Sequence, residues 1–191
     1  RYPERIVGFG SINPVVAGAI EEIERCASLG LRGIGELHPD TQGFDVSDTQ
    51  VMSPLVDALR EFHLPLTVHC SEPLGHAYPG KGATTPEKVL ELIKLANGID
   101  LLLAHWGGGL PFYAMMPEVE KLLSNVYFDT SASPFLYEQK VFRIASLLVG
   151  SERILSASDY PLMSYSRIRE QIQLSGLPEA EKLGLLGGNA A

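Results

Sequence analysis

The chain has 191 residues, a formal net charge of −8 at pH 7 and a hydrophobic fraction of 45%. These values fit one soluble domain with a sizeable core, and the sequence contains no low-complexity tract, internal repeat or linker-like stretch. The excess of acidic residues and the lack of a basic stripe argue against nucleic-acid binding, and no apolar run approaches the roughly 18 residues of a membrane span.

Signals for export are lacking in the sequence. No signal peptide precedes the first predicted element, so we expect a cytoplasmic protein. The two cysteines, Cys26 and Cys70, form neither a CxxC pair nor a disulfide framework, as is usual in a reducing compartment. We do not expect either of them to bind zinc.

The pattern predicts six short apolar strands, each separated from the next by a helix. The first strand is IVGFGSI, near residues 6–12. Asn13-Pro14 then supplies a helix cap and a first-turn proline, and Gly30 ends this first helix. Short apolar strands that alternate with helices are typical of a parallel sheet buried on both faces.

The next helices also have recognisable ends. Ser47-x-x-Gln50 is a capping box that predicts the start of the second helix. Thr85 is the predicted cap of the third helix, which ends at Asn97-Gly98. Further helices are predicted near residues 113–124, 136–149 and 165–175.

Several predicted strands end in an imidazole or a carboxylate. RGIGE ends at Glu36, LPLTVH at His69, DLLLAH at His105 and ERILSASD at Asp159, while VYFDTS brings Asp129 to another strand end. The first two separations, 33 and 36 residues, are close to the roughly 30 residues of one βαβ unit. In parallel α/β folds the reactive groups gather at the carboxyl ends of the strands.

These residue types suit a metal-centred site. Zinc and related divalent ions bind imidazole nitrogen and carboxylate oxygen, and His69 and Asp159 could supply them. A carboxylate can take a proton from an attacking water, and His105 can polarise a carbonyl or protonate a leaving group. Any one of these residues could instead cap a helix or face solvent, so the prediction depends on their recurrence on successive units.

Five motifs along the chain form a combination that is more specific than any one of them: TVHCSEP, AHWGGGLPFY, NVYFDTSASP, ILSASDYP and LLGGNAA. With them the chain resembles the metal-dependent amidohydrolase superfamily, in particular its branch of aminocarboxymuconate-semialdehyde decarboxylase-like enzymes. The resemblance spans nearly all of the sequence. It implies a (β/α)₈ TIM barrel in which His69 is the metal-binding histidine of strand five, His105 the strand-six histidine and Asp159 the strand-eight aspartate.

The resemblance also implies roles for these residues. In the decarboxylase-like branch His105 would be a catalytic acid or base, whereas in the binuclear hydrolases it would bind a second metal. Glu36 lies where some superfamily members place a metal ligand of strand four. The implied cofactor is a divalent metal, zinc first, with manganese or cobalt as alternatives.

One motif of the family is missing. The family has an HxH or ExH metal pair on strand one, and no such pair precedes Glu36. The six predicted strands then correspond to family strands three to eight. We therefore expect residues 1–191 to form a single barrel domain without its first two strands, as in an excerpt of a longer chain.

The loop CSEPLGHAYPGKG follows the metal-site strand and is predicted to select the substrate. Glu72, His76 and Lys81 are its candidate substrate-binding residues, and His76 and Lys81 could bind an anionic group such as a carboxylate. The alternative is a surface turn with solvated charges. Trp106 could also contact substrate, or it could be a packing residue beside a strand end.

The sequence therefore predicts a metal-dependent hydrolase of a C–N or C–O bond in a small, carboxylated or cyclic molecule. Asp159 would accept the proton of the attacking water, and His105 would stabilise or protonate the reacting group. The same residues could run a non-oxidative decarboxylation, and a catalytically silent ligand-binding barrel is the alternative from another class. The expected partner is a small-molecule substrate, with no nucleic acid or membrane, and the resemblance allows a homo-oligomer.

Overall fold

The computed structural model describes Tyr2 and residues 5–190; residues 1, 3, 4 and 191 of the predicted domain lie outside the described residues. Within this part of the chain, five parallel strands form one sheet in the order β1-β2-β3-β4-β5. Each strand lies beside its neighbour in sequence, as in a β/α barrel; a doubly wound sheet would reverse the order. The strands are β1 Ile34–Leu37, β2 Leu66–Val68, β3 Leu101–Leu103, β4 Val126–Asp129 and β5 Ile154–Leu155.

Helices connect and cover the strands, which confirms the predicted α/β barrel-type fold. None of the described helices is long and apolar enough to cross a membrane. Single 3-10 turns lie at Leu110–Tyr113, Leu123–Asn125, Ser151–Arg153 and Gly188–Ala190. The helices are α1 Ala19–Ser28, α2 Pro39–Gln42, α3 Thr49–Glu61, α4 Pro86–Leu95, α5 Ala104–Gly107, α6 Pro117–Glu120, α7 Ser133–Leu136, α8 Lys140–Val149, α9 Tyr165–Gln173 and α10 Glu179–Leu185.

The strand predicted near residues 6–12 is reduced to a short ladder beside β1. Gly10 forms a single parallel bridge with Ile34. The Gly10 N–H donates to the Gly33 carbonyl at 2.9 Å, and its carbonyl accepts from the Gly35 N–H at 2.8 Å. The apolar side chains of Ile6 and Val7 stay exposed, at 66% and 65%, whereas Ile12 is buried in the core, so only the end of the segment packs against the sheet.

Two predicted helix starts were wrong. The first helix begins at Ala19, because the Asn13 side chain ties the preceding loop to the Gln42 carbonyl at 3.0 Å instead of capping the helix. The cap of α3 is Asp48, whose carboxylate accepts from the Gln50 N–H at 2.9 Å. The helix expected over 113–124 is only α6 with 3-10 turns on either side, and α10 was not predicted.

One face of the sheet is fully buried beneath helices, and the other is half-buried. Leu66 and Leu101 have no exposed surface, whereas Thr67, Leu102 and Tyr127 lie in register on the opposite face and are half-buried. Burying each large apolar side chain stabilises the fold by about 1.5–3 kcal/mol. This packing fixes the positions of the carboxyl ends of the strands.

A bulge in β1 changes the direction in which the Glu36 side chain points. Ile34 pairs with Leu66, yet Leu37 pairs with Val68, so β1 has one more residue than β2 over the same span. Bulges of this kind redirect a side chain and are common beside active sites. Gly35 allows the bulge because its φ is 130°, and a Cβ there would overlap the Thr67 carbonyl.

Asp45 links the loop after α2 to helix α4. Its carboxylate accepts from Lys88 Nζ at 2.6 Å, from the Ser47 N–H at 2.9 Å and from the Ser47 hydroxyl at 2.7 Å. Burial opposes ionisation of the carboxyl, but these donors outweigh it and lower the pKa of Asp45 to about 2. The ionised form therefore stabilises the fold.

We expect Asp45→Asn to lower the free energy of unfolding at pH 7 by up to about 1 kcal/mol, the value left for a partly exposed group after solvent screening. A carboxyl whose pKa is lowered by folding stabilises the protein above its unfolded pKa, and this contribution disappears as the pH falls to the folded value. The difference from wild type should therefore shrink between pH 3.8 and about 2.

Urea unfolding of both proteins between pH 7 and pH 2.5 measures this difference. Asp57→Asn is the matched control, because Asp57 forms a 2.7 Å ion pair with Arg60 while its side chain stays 74% exposed. A loss of stability in Asp45→Asn that does not change with pH would contradict the assignment.

Candidate metal centre

Glu36, His69 and His105 lie together at the carboxyl ends of β1, β2 and β3, as the sequence predicted. Glu36 Oε1 is 3.0 Å from His69 Nδ1 and 3.8 Å from His105 Nε2. The two imidazole nitrogens are 3.1 Å apart. Both histidines are nearly buried, with 8% and 6% of their surface exposed, so three potential ligand atoms meet at one half-enclosed point.

In each ring, the outer nitrogen, which is the one that points away from Glu36, is already hydrogen-bonded. His69 Nε2 lies 3.1 Å from the Gly80 carbonyl, and His105 Nδ1 lies 3.1 Å from the Ser131 carbonyl. Since a carbonyl only accepts, each of these nitrogens carries a hydrogen, and this assigns the tautomers. In neutral rings the inner nitrogens then present lone pairs toward the Glu36 carboxylate, so a proton or a cation must lie among the three atoms.

The donor set fits a divalent cation. Ligand atoms about 2.1 Å from a tetrahedral ion are separated by about 3.4 Å. The observed separations of 3.0, 3.1 and 3.8 Å lie around that value. Imidazole nitrogen with carboxylate oxygen suits zinc, manganese and cobalt alike, so this set does not select one of them.

Charge couples Glu36 to His69. Burial disfavours the imidazolium of His69, but the hydrogen bond and charge of Glu36 outweigh it and raise the pKa of His69. Burial likewise disfavours the Glu36 carboxylate, yet His69 and His105 together lower the pKa of Glu36. Binding a cation here would displace the proton that the pair shares.

Asp159 reaches the same cavity from the loop after β5. It lines the cavity wall with Glu36, His69 and His105, and its negative charge also favours the protonated form of His69. Its backbone is left-handed, with φ 62°. It is not one of the three converging ligand atoms, so a ligand role for Asp159 stays a prediction.

Asp129 and Ser131 hold His105 in place. Asp129 Oδ1 accepts from the His105 N–H at 3.1 Å, from the Ser131 N–H at 2.9 Å and from the Ser131 hydroxyl at 2.5 Å. His105 and Trp106 both have left-handed backbones, with φ of 55° and 58°, a conformation that costs roughly 1–2 kcal/mol per residue. These hydrogen bonds offset that cost, which explains the buried carboxyl at the end of β4.

His38 is a cavity residue that sequence reasoning missed. Its ring stacks on His69 with centroids 4.0 Å apart and an interplanar angle of 13°. His38 Nδ1 accepts from the Thr41 N–H at 3.4 Å, and the ring lines the cavity. A signal for His38 was present in the sequence. It lies two residues after Glu36, and this acidic-x-His spacing is the spacing of a metal-binding pair.

The structure corrects the prediction for Trp106. This side chain has no exposed surface, its Nε1 donates to the Ser133 hydroxyl at 3.0 Å, and its ring meets Phe142 edge-on at 5.1 Å. It lies in the core and is absent from the lining of the cavity around the histidines. The left-handed turn at His105 rotates the next side chain away from the site.

The loop residues divide between different roles. Lys81 Nζ donates to the carbonyls of Leu74 at 2.6 Å and His76 at 3.2 Å, so it braces the loop and does not line the cavity. This corrects the expectation that Lys81 binds an anionic substrate. His76 does line the cavity, and Glu72 faces a neighbouring one.

The central cavity has a volume of about 500 Å³, within the range of small-molecule sites. Its polar groups cluster at the strand ends, and its remaining wall is largely apolar. The lining residues are Glu36, His38, His69, His76, Tyr78, Pro79, Gly80, His105, Ala132, Phe135, Leu136, Asp159 and Leu162.

Cysteine chemistry has no support at this site. Cys70 is fully buried, and its Sγ donates to the Val68 carbonyl at 3.4 Å. Burial raises the pKa of Cys70 well above its ordinary value. A buried, protonated thiol is a poor nucleophile, so the reactive groups here are the imidazoles and carboxylates.

The chain belongs to the amidohydrolase family, whose model matches residues 1–191. A comparison with curated protein sequences gave no match.

Solved structures share the fold. 5-Carboxyvanillate decarboxylase of Sphingomonas paucimobilis is 22% identical, with a TM-score of 0.77 over 99% of this chain and 66% of that one. A dihydroxybenzoic acid decarboxylase of a Polaromonas species, with bound manganese and 2-nitroresorcinol, is 21% identical, with a TM-score of 0.77 over 98% and 68%. 2,6-Dihydroxybenzoate decarboxylase from Rhizobium is 20% identical, with a TM-score of 0.74 over 98% and 70%. The chain thus spans about two thirds of the length of these proteins.

We expect about one divalent ion per chain in protein purified without chelators, and we expect His69→Ala to lose it, because that change removes the imidazole nitrogen that lies 3.0 Å from the Glu36 carboxylate. Plasma mass spectrometry measures the content. His63→Asn is the matched control, since His63 is exposed outside the cavity and asparagine tolerates its left-handed backbone. Equal metal content in wild type and His69→Ala would contradict the site.

Proposed function

We propose that the protein is a divalent-metal-dependent, non-oxidative decarboxylase of a small aromatic carboxylic acid. The orientation of His105 carries the proposal. Its Nδ1 is bound to the Ser131 carbonyl at 3.1 Å, which leaves Nε2 facing the cavity beside Glu36 and His69. Decarboxylation requires a proton donor held at the carbon that loses its carboxylate, and a fixed imidazole meets that need.

The cavity wall suits a flat, partly apolar substrate. Phe135, Leu136 and Leu162 provide apolar surface opposite the polar strand ends. A ring could pack on that surface while its carboxylate faces the histidines. Three structures that share the fold are decarboxylases of substituted benzoic acids by name, which supports this substrate class.

Glu36 and His69, with Asp159 on the same wall, would hold the metal ion, which when bound would neutralise the substrate carboxylate and orient it. His105 in its protonated form gives its Nε2 proton to the ring carbon that bears the carboxylate. The bond between that carbon and the carboxylate then breaks, its electron pair returns to the ring and restores the aromatic system, and carbon dioxide leaves. Neutral His105 regains a proton from solvent, so atoms and charges balance.

Hydrolysis of a C–N or C–O bond is the second candidate, and the position of Asp159 favours it. This carboxylate lies in the cavity wall with His105, where it could take the proton of an attacking water while His105 protonates the leaving group. The two reactions differ in their products, because only decarboxylation releases carbon dioxide and forms a new C–H bond. Product analysis therefore separates them.

We expect the manganese- or zinc-loaded protein to release carbon dioxide from 2,6-dihydroxybenzoate or 5-carboxyvanillate. In deuterium oxide the product should carry one deuterium at the carbon that held the carboxylate. Gas analysis and mass spectrometry of the aromatic product measure both. Turnover of amide or ester substrates without carbon dioxide release would favour hydrolysis instead.

His105→Asn should lower kcat by about 10²-fold or more, the usual contribution of a positioned acid, while KM and metal content change little. His63→Asn again serves as the control. A loss of metal in His105→Asn would show that His105 is a ligand, and a proton-donor role at the same nitrogen would then be excluded.

A further inference from the structure

A second cavity of about 290 Å³, here called the side cavity, adjoins the central one. The two cavities share His76, Tyr78 and Leu136 in their walls. A bound molecule could therefore extend from one into the other. The decarboxylation proposed above uses no group that belongs to the side cavity alone.

Glu72 gives the side cavity an unmet hydrogen-bond acceptor. Its Oε2 accepts from the Tyr78 hydroxyl at 3.1 Å. Its Oε1 is buried and has no hydrogen bond of good geometry among the residues that the structure describes, although the Tyr137 hydroxyl lies near enough for Glu72 to add to the effect of burial in raising the pKa of that tyrosine. Buried polar atoms are nearly always paired, so an unpaired carboxylate oxygen in a cavity wall points to a donor that comes from a ligand.

Aromatic rings form much of the remaining wall. Tyr78, Phe112, Tyr113 and Tyr137 line the side cavity, and the rings of Phe112 and Tyr137 lie 5.7 Å apart at an angle of 54°. The faces of such rings attract organic cations. A carboxylate among aromatic rings is an environment that suits an ammonium group better than an anion.

The local charge agrees with this preference. Lysine and arginine are lacking among the described residues that line the side cavity, and the nearby Lys81 donates to the loop carbonyls of Leu74 and His76. Burial, together with the negative charge of Glu72, raises the pKa of Tyr78 to about 12. The Tyr78 hydroxyl therefore stays a neutral donor to Glu72, and the carboxylate keeps the side cavity negative.

We propose that the side cavity binds an organic ammonium group, with Glu72 Oε1 accepting its N–H and the rings of Phe112 and Tyr137 contacting the cationic group by cation–π interaction. The identity of the substrate rests on the proposed function: it would be a carboxylic acid whose carboxylate lies at the histidines. Its amine-bearing side chain would pass His76 and Tyr78 into the side cavity.

The probe is n-butylammonium, compared with its neutral analogue n-butanol, in calorimetric titrations of the full chain after chelator treatment. We expect n-butylammonium to bind about tenfold more tightly or better, as for a hydrogen bond to a charged group. Glu72→Gln should abolish this preference. Glu91→Gln is the matched control, because it also removes one negative charge, but from an exposed ion pair with Lys94 on α4.

Phe112→Leu provides a second variant in case Glu72→Gln does not fold, as judged by circular dichroism. Phe112 is 38% exposed, and loss of its ring should weaken n-butylammonium binding about two- to fivefold, as for a cation–π contact. The proposal is overturned if wild type binds both probes equally, or if every folded variant binds n-butylammonium as wild type does.

The titration needs neither metal nor turnover, so it fails independently of the decarboxylase proposal. Carbon dioxide release without ammonium binding would overturn the side-cavity proposal alone. Ammonium binding without carbon dioxide release would overturn the proposed function and leave the side cavity as an ammonium site.

Discussion

Parallel pairing of β1, β2 and β3 is the constraint on which the site depends. Leu66 pairs with both Ile34 and Leu101, so three strands run side by side and end at one edge of the sheet. Residues far apart in sequence then meet there without any local contact between them. Because one face of the sheet is packed against helices, the strands cannot slide past one another. The distances between the side chains at their ends are therefore fixed.

Hydrogen bonds from the surrounding loops convert this proximity into a binding geometry. The Gly80 and Ser131 carbonyls occupy the outer nitrogens of His69 and His105, and Asp129 holds the left-handed backbone of His105. Each contact turns a lone pair toward the same point. The site is therefore built by loops after β2 and β4 as much as by the histidines, and the same loops bring Glu72 and Tyr137 to the side cavity.

Much of the fold was predictable from local pattern. Short apolar runs about one βαβ unit apart predicted the parallel sheet, and strand-end polarity predicted Glu36, His69 and His105. The predictions that failed concerned residues whose role depends on the direction of the side chain. Trp106 and Lys81 stand next to the site in sequence, but one turns into the core and the other toward loop carbonyls. Side-chain direction after a strand depends on backbone angles that the sequence pattern does not specify.

The sequence by itself determined the β/α architecture and the three converging groups, because hydrophobic periodicity and polar strand ends are local properties of the chain. Only the tertiary structure decided that His38 stacks on His69, that Asp159 lies on the wall apart from the converging atoms, and that Glu72 keeps one oxygen unpaired beside aromatic rings. These depend on contacts between loops distant in sequence, whose paths are set by packing against the sheet.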